Sequence, residues 1–257
     1  MKEFIINENE AGQRFDKYLG KLLREAPKSF FYKMLRKKNI TLNGGRATGN
    51  EKLSTGDHVK LFFSDETFGK FAGVQETVAR AHQKLDIVYE DDNILLINKP
   101  SGMLSQPGDD GTPSLVEYLT GYLLETGSLT EEDLRTFRPS VCNRLDRNTT
   151  GLIAAGKSLA GLQELSEMFK SRNLHKYYLC IVKGNVEKRS RVKGYLYKNE
   201  RTNKVTILQN APKGKEKDIL PIETEYIPVC ANKQATLLKV NLLTGRSHQI
   251  RAHLSFL

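Results

Sequence analysis

Short apolar runs, most of them too brief to form helices, dominate the chain after residue 85. We predict strands at 86–90, 94–97, 152–155, 177–182, 204–208, 222–229 and 235–242. Few helical patterns separate these runs, so they do not show the strict strand–helix alternation of a parallel sheet. The pattern therefore predicts an α+β fold with a largely antiparallel sheet.

Two stretches in this region have helical periodicity. Ser114 and Glu117 have the spacing of a capping box, which indicates that a helix begins near Thr112-Pro113-Ser114. Residues 158–172 form a second amphipathic pattern, with Leu162, Leu165 and Phe169 on its apolar side.

The first 63 residues follow a different pattern. A strand is predicted at 3–7, a helix at 12–25 with Phe15, Leu19, Leu22 and Leu23 on one face, and a second helix from Pro27. The pair Asn43-Gly44 indicates a tight turn before a strand at 58–63. We therefore predict a compact domain at 1–63, a linker at 64–84 and a second domain at 85–257.

The second helix ends in a basic cluster, Arg36, Lys37 and Lys38. Such a cluster can lie along phosphates. Basic residues at a solvated helix C-terminus can also simply complement the helix dipole. Composition alone favours the second interpretation slightly.

The charge of the chain favours a polyanionic partner. It has 40 Lys+Arg against 30 Asp+Glu, a net charge of +10 and a pI near 9.4. The alternative is a merely soluble basic protein.

No apolar run approaches the ~18 residues of a membrane span, and Cys142, Cys180 and Cys230 show no disulfide or zinc spacing. We expect a cytoplasmic protein without a membrane partner.

Three stretches of the second domain carry polar residues suited to chemistry. Lys99 lies in the turn Asn98-Lys99-Pro100-Ser101-Gly102, where the simplest interpretation is a solvated lysine. Asp146 lies between Arg144 and Arg147 in a polar loop that enters a strand. This placement suits a catalytic acid, but also an Asx-turn or a structural ion pair.

The third stretch, Leu243–His253, contains Arg246, His248, Arg251 and His253. The spacing of its histidines suits no zinc site, whereas the arginines suit phosphate or carboxylate contacts. A buried and satisfied polar cluster is the alternative. Neither a P-loop nor a Gly-x-Gly-x-x-Gly motif occurs in the chain, so we expect neither a cofactor nor a metal.

Together the motifs resemble the RluA-type RNA pseudouridine synthases. That family carries an Asn-Lys-Pro-x-Gly turn, then Arg-Leu-Asp-x-x-Thr-Ser/Thr-Gly, Lys-x-Tyr and Gly-Arg-Thr-His-Gln-Ile-Arg. Here these motifs are Asn98–Gly102, Arg144–Gly151, Lys176-Tyr177-Tyr178 and Gly245–Arg251. Asn143 replaces a frequent His, and Ser247 replaces the usual Thr.

The region at 1–63 resembles an S4-type RNA-binding domain, through Gln13–Leu19, Lys37–Gly44 and Leu53–Asp57. Members of the RluA-type family often begin with such a domain, and this resemblance favours phosphate contacts by Arg36, Lys37 and Lys38. Relatives usually continue beyond the position of Leu257. We therefore expect the catalytic domain at 85–257 to lack its C-terminal end.

The resemblance implies the conversion of uridine in RNA to pseudouridine, with large-subunit ribosomal RNA favoured over transfer RNA. It makes Asp146 the catalytic carboxylate, either attacking C1′ or stabilising a sugar cation or glycal. Arg246 would keep Asp146 ionised, Tyr178 would contact the uracil, and Ile250 would pack against the site. Arg144 would brace the space left by the flipped nucleotide, and Lys99 is a peripheral candidate for contact with RNA.

Two alternatives remain open at this stage. The chain could be an S4-type RNA-binding or ribosome-associated protein without activity, although Asp146, Tyr178 and Arg246 are all present. It could also be a glycosidase-like hydrolase, but no motif supplies the second carboxylate of such an enzyme. We expect a monomer without a protein partner.

Overall fold

The computed structural model describes residues 1–73, 79–171, 174–199, 202, 204–210 and 219–257. The chain forms two compact units, Met1–Phe169 and Lys170–Leu257, which we call the first and second units. None of the helices among these residues is both long and apolar enough to cross a membrane.

The first unit begins with a small sheet and three helices. The elements are β1 (Lys2–Ile5), α1 (Phe15–Leu22), α2 (Lys28–Arg36), β2 (Ile40–Leu42), β3 (His58–Leu61) and α3 (Asp65–Ala72). The three strands are antiparallel, in the order β1-β3-β2. The apolar face predicted for the first helix is buried, and the predicted turn has positive φ angles at Asn43 (51°) and Gly44 (73°).

The remainder of the first unit contains a second antiparallel sheet. Its elements are β4 (Ile87–Glu90), β5 (Ile94–Lys99), α4 (Leu115–Glu125), a 3-10 turn (Asp133–Arg135), β6 (Ser140–Val141), β7 (Gly151–Gly156) and α5 (Leu159–Ser171), whose last two residues belong to the second unit. The strand order is β4-β5-β7-β6. A Cβ at Gly161 would lie 2.2 Å from the carbonyl oxygen of Asn93, so only glycine lets α5 approach the β4–β5 turn this closely.

The two parts of the first unit contact each other. The hydroxyl of Thr136 donates to the buried carboxylate of Glu10 at 2.6 Å, and the amide of Asn7 donates to Asp133 at 3.1 Å. A guanidinium nitrogen of Arg24 donates to the carbonyl of Arg135 at 3.2 Å. The region predicted as a separate N-terminal domain is therefore docked, through α1 and its preceding loop, against the segment that leads to β6.

The second unit is an antiparallel sheet with one helix. Its elements are β8 (Tyr177–Lys183), β9 (Ser190–Asn199), β10 (Lys204–Leu208), β11 (Ile219–Ala231), β12 (Ala235–Leu242) and α6 (Gln249–Phe256). The strand order is β10-β9-β11-β12-β8. Leu196, Ile207 and Ile222 form its small core, with Ala252 of α6 packed against them.

The predicted α+β class with antiparallel sheets is confirmed. Several elements were not predicted, among them β9, α6 and α3. The strand β9 carries Arg191 and Lys193 on a face paired with Glu223, so its apolar alternation is weak. The helix α6 begins inside the polar stretch Leu243–His253 and continues beyond it. The helix α3 lies in the predicted linker, where the hydroxyl of Ser64 caps it by accepting from the amide of Thr67.

Some predictions fall outside the described residues. Residues 74–78 of the predicted linker and residue 172 of the predicted helix 158–172 belong to this group. The domain boundaries at 63 and 84 stay predictions.

Candidate active site

Asp146 lies in the loop between β6 and β7 of the first unit, with its side chain partly exposed. The amide of Thr149 donates to the carbonyl oxygen of Asp146 at 2.9 Å, which closes a turn directly after the aspartate. The loop thus carries a partly exposed carboxylate between two strands of the same sheet.

Ser105 fixes the backbone directly before Asp146. Its hydroxyl accepts from the amide of Leu145 at 3.0 Å and donates to the carbonyl of Leu145 at 2.8 Å. Ser105 is 5% exposed, and Leu145 packs against the core of the second sheet. The residue before the aspartate is thus held through both its backbone and its side chain.

Lys99 and Gly102 fix the backbone directly after Asp146. The amide of Gly102 donates to the carbonyl of Arg147 at 2.9 Å, and the ammonium of Lys99 donates to the same oxygen at 3.1 Å. Lys99 also donates to the carbonyls of Pro100 at 2.8 Å and Met103 at 2.9 Å. One ammonium group therefore ties the Asn-Lys-Pro-Ser-Gly turn to the aspartate loop.

The prediction of a solvated lysine at this turn is wrong, because Lys99 is 0% exposed. Three carbonyls occupy its three donors, so its ammonium is directed at the protein backbone rather than at an RNA phosphate. Burial lowers the pKa of Lys99, and the negative charge of Asp146 acts in the opposite direction. Lys99 therefore both braces the loop and places a positive charge within electrostatic range of the aspartate.

The two arginines beside Asp146 differ in their surroundings. Arg147 donates to the carbonyl of Gly102 and, at 3.1 Å, to the carboxylate of Asp110. Arg144 is exposed and makes no hydrogen bond within the described part of the chain. Arg147 thus belongs to the loop scaffold, whereas Arg144 is open to solvent, as a contact to RNA requires.

Asn143 has an anchoring role. Its side-chain oxygen accepts from the amide of Ala154 at 2.8 Å, and its side-chain nitrogen donates to the carbonyl of Leu152 at 3.2 Å. Both partners lie in β7, so this side chain ties the start of the aspartate loop to the strand that follows it. The replacement of a frequent His by Asn143 is compatible with an ordered loop.

Tyr178 belongs to the second unit, on the edge strand β8, where it pairs with Val240 of β12. Tyr178 is partly buried and Tyr177 is exposed, in agreement with the alternation expected along a strand. The ammonium of Lys239 lies 4.4 Å from the ring centroid of Tyr177. The two neighbouring tyrosines therefore face different surroundings.

Gln249, the first residue of α6, fixes the backbone of Arg246. Its side-chain oxygen accepts from the amide of Arg246 at 3.1 Å and from the hydroxyl of Thr244 at 2.9 Å. Its side-chain nitrogen donates to the carbonyl of Glu223 at 3.1 Å and the hydroxyl of Thr224 at 3.0 Å. A buried amide with four hydrogen bonds thus joins the Arg246 loop to β11.

Arg246 itself is partly buried, and its Nε has no hydrogen-bond partner among the described residues. Ile250 follows Gln249 in the first turn of α6 and is also partly buried. The two histidines of this stretch differ in their surroundings. His248 lies near Arg251, whereas His253 is buried against the hydroxyl of Thr224 at 3.0 Å.

The basic cluster Arg36, Lys37 and Lys38 is exposed at the C-terminal end of α2, where the guanidinium of Arg36 donates to the carbonyl of Tyr32. This placement is compatible with both interpretations of the cluster.

The sequence did not point to Ser105 or to a bracing role for Gln249. Both residues act through contacts with segments that are distant in sequence. The position of Gln249 inside the Gly245–Arg251 motif was the one sequence feature that could have indicated its importance.

Comparisons with known proteins agree with the motifs. The family described as RNA pseudouridylate synthase matches residues 93–256. The chain is 32% identical to a ribosomal large subunit pseudouridine synthase C of Pasteurella multocida, covering all of this chain and 74% of that protein. It is 30% identical to the protein of the same description from Escherichia coli, covering 100% of this chain and 76% of the relative.

A solved structure shows the same fold. The human RNA pseudouridylate synthase domain-containing protein 4 matches with a TM-score of 0.52 and 21% identity, over 66% of this chain and 63% of that one. The S4-like nature of residues 1–63 stays a prediction. The family match and the relatives establish that the chain belongs to the RluA-type RNA pseudouridine synthases.

Proposed function

We propose that this chain converts uridine to pseudouridine in large-subunit ribosomal RNA, with Asp146 as the catalytic carboxylate. Its membership of the RNA pseudouridine synthase family supports the reaction. Relatives whose sequences align with the whole chain are named ribosomal large subunit pseudouridine synthase C, and these names support ribosomal RNA as the substrate. The residue assignments rest on the motifs and on the local geometry of each unit.

The reaction is an isomerisation that balances within the nucleotide. The N1–C1′ bond of uridine breaks, the uracil turns, and a C5–C1′ bond forms. The proton on C5 is released and N1 gains one, so neither an oxidant nor a reductant is consumed. The positive charge that develops at C1′ calls for one carboxylate, which acts as a nucleophile or as an ionic partner. Asp146 fills this role in our proposal.

The observation that carries the assignment is the bracing of the backbone on both sides of Asp146. Ser105 holds Leu145, and Lys99 with Gly102 holds Arg147. Positioning a reacting group before the substrate arrives removes part of the entropic barrier. The backbone is thus fixed on each side of a carboxylate whose side chain is partly exposed.

Three residues of the second unit are assigned from their places in the family motifs alone. Tyr178 matches the tyrosine expected at the uracil, Arg246 the basic residue expected to keep the catalytic carboxylate ionised, and Ile250 the apolar residue expected to pack against the site. Arg144, which is exposed, fills the space left when the uridine leaves its stack. Such flipping costs a few kcal/mol, so contacts that replace the lost stacking are needed.

The region at 1–63 contributes phosphate contacts through Arg36, Lys37 and Lys38, which are exposed on α2. Each contact of this kind releases counterions from the nucleic acid, so binding is expected to weaken as salt rises. The net charge of +10 supports a polyanionic substrate.

The test is the release of tritium from RNA that contains [5-³H]uridine. Wild type should release tritium from large-subunit ribosomal RNA, and Asp146→Asn should release none, because the amide cannot supply the charge at C1′. The matched control is Asp109→Asn, an exposed carboxylate in a neighbouring loop, which should act like wild type.

Other RNAs, tested in the same tritium-release assay, check the substrate assignment. Small-subunit ribosomal RNA and transfer RNA should release much less tritium than large-subunit RNA. Comparable release from transfer RNA would overturn the substrate assignment but not the reaction. Equal release by Asp146→Asn and wild type would overturn the residue assignment.

A further inference from the structure

The region at 1–63 and the second sheet of the first unit are built around separate apolar cores. Phe15 and Tyr18 belong to the first core, and Leu134 and Phe137 belong to the second. Hydrogen bonds join the two regions, and we call these bonds the docking contacts. Two parts of a chain that meet through a small polar interface are normally expected to move relative to each other.

Glu10 provides one docking contact from the N-terminal region. One of its carboxylate oxygens accepts from the backbone amide of Asn7 at 3.0 Å, which fixes the side chain within its own region. The other oxygen accepts from the hydroxyl of Thr136 at 2.6 Å. Glu10 is 8% exposed and Thr136 is 4% exposed, so loss of the hydroxyl would leave a buried carboxylate oxygen without this donor.

Asp133 provides the reciprocal contact from the other region. One of its carboxylate oxygens accepts from the amide and the hydroxyl of Thr130, at 2.8 and 2.7 Å, which fixes the side chain within its own region. The other oxygen accepts from the side-chain nitrogen of Asn7 at 3.1 Å. Each region thus supplies one carboxylate that is fixed on its own side and receives a donor from the other side.

Arg24, directly after α1, repeats this arrangement. Its Nε donates to the carbonyl of Lys21 at 3.3 Å, and another guanidinium nitrogen donates across the interface to the carbonyl of Arg135 at 3.2 Å. A side chain that is already ordered within its own region loses little further conformational entropy on docking. The three cross-contacts are therefore more favourable than their number suggests.

The docking contacts lie on the segment that leads to the catalytic loop. Leu134 and Phe137 are 1% and 2% exposed, so this segment is fixed in the core of the second sheet. It continues into β6 and then into the loop that carries Asp146. The N-terminal region is therefore attached to a part of the chain that is itself fixed next to the aspartate loop.

We propose that the docking contacts hold the N-terminal region in one orientation relative to Asp146, and that Asn7, Glu10 and Thr136 are thereby positioning residues for the RNA. An RNA held by the N-terminal region would then meet Asp146 at a set distance, so this second contact forms at a high effective concentration. The inference rests on the proposed function, since it takes RNA as the substrate. It assigns the docking contacts an effect on KM and not on the chemistry at C1′.

Hydrogen exchange measured by mass spectrometry tests the docking on the full chain. Thr136→Val removes the hydroxyl and keeps the shape of the side chain, whereas Thr136→Ser keeps the hydroxyl. Thr136→Val should raise the exchange rate about tenfold in peptides that cover residues 5–13 and 130–138, the order expected for one lost buried hydrogen bond. Peptides from β5 should exchange as in wild type, and so should all peptides of Thr136→Ser.

Asn7→Ala is a second variant that leaves both apolar cores unchanged, because it removes the contact with Asp133 from an exposed position. It should also raise exchange in both peptides. Asn50→Ala is the matched control, since it removes an exposed side-chain bond with Arg14 inside the N-terminal region alone. It should leave exchange at residues 130–138 unchanged.

Steady-state tritium release from large-subunit ribosomal RNA tests the positioning role. Thr136→Val should raise KM about tenfold, because a mobile N-terminal region no longer presents the RNA at a fixed distance from Asp146. The kcat should stay at the wild-type value, since the bonds around Asp146 are not altered. A protein that is merely destabilised would instead show a lower kcat at an unchanged KM. Thr136→Ser should have the KM of wild type.

Three results would count against these conclusions. Equal exchange of Thr136→Val and wild type at residues 5–13 would overturn the docking. Faster exchange with an unchanged KM would overturn the positioning role. Wild type that releases no tritium would contradict the proposed function, whereas the exchange rates would still decide the docking.

Discussion

Ser105 and Leu145 exchange two hydrogen bonds, at 3.0 Å from the amide of Leu145 to the serine hydroxyl and at 2.8 Å from that hydroxyl to the carbonyl of Leu145. Leu145 is the residue before Asp146. The hydroxyl of a residue 40 positions earlier in the chain therefore fixes the backbone directly before the aspartate. This relationship makes Ser105 a positioning residue for the proposed reaction.

We predict that Ser105→Ala lowers kcat by roughly 10- to 100-fold while KM changes little, because a small displacement of a reacting group costs this much. The RNA contacts themselves are not altered. Single-turnover and steady-state tritium release would measure both constants. Ser101→Ala, which removes a longer bond of 3.3 Å from an exposed hydroxyl to the carbonyl of Asn148, is the control and should keep kcat. A wild-type kcat for Ser105→Ala would contradict the positioning role.

Lys99→Met should destabilise the chain. It leaves the carbonyls of Pro100, Met103 and Arg147 without their donor in a buried site, at a cost of about 3 kcal/mol. Urea unfolding measures this loss. The control Lys84→Met removes an exposed lysine and should stay within about 0.5 kcal/mol of wild type. An equally small effect of Lys99→Met would mean that the ammonium does not brace the loop.

Gln249→Leu should affect both stability and catalysis. The change keeps the approximate volume but removes the partner of the Arg246 amide and of three further polar groups. We expect a loss of about 2–3 kcal/mol, since buried groups are left unsatisfied, and a lower kcat because Arg246 loses its backbone anchor. At a urea concentration where the variant is still folded, an unchanged kcat would show that Arg246 does not depend on Gln249.

His253 should make the stability of the second unit depend on pH. Burial lowers its pKa below the ordinary value of 6.5, so the folded state holds the neutral ring. Below the unfolded pKa, only the unfolded state gains a proton, and stability falls as pH drops towards the folded pKa. Each pH unit in this window costs up to about 1.4 kcal/mol.

His253→Asn is the matched variant for this effect, because its amide can replace the ring nitrogen next to Thr224 without titrating. Urea unfolding at pH 7.5 and 5.5 should show a larger loss for wild type than for the variant. Equal losses in the two proteins would mean that His253 is not the group responsible.

The sequence predicted the elements that depend on local signals. The strands β4 and β5 were predicted from the two short apolar runs at 86–90 and 94–97, and α4 from its capping box, in which the amide of Ser114 donates to Glu117. The strand β9 was missed because its outward lysine and arginine depend on Glu223 of β11, a partner distant in sequence. Local pattern cannot reveal a strand whose polar face is compensated by another strand.

The candidate site was predictable to a similar extent. The motif identified Asp146, but not the residues that brace it, because the contact of Ser105 with Leu145 forms only after two loops meet. Lys99 was expected to be solvated, since a lysine is rarely buried. Only the placement of three carbonyls around its ammonium makes that burial possible.

The most direct measurement is nucleoside analysis of large-subunit ribosomal RNA after incubation with the chain and complete digestion. Wild type should yield pseudouridine and no free uracil, and Asp146→Asn should yield no pseudouridine although it still binds the RNA. Free uracil would instead indicate a glycosidase. RNA binding by wild type without any pseudouridine would contradict the claim that Asp146 catalyses uridine isomerisation.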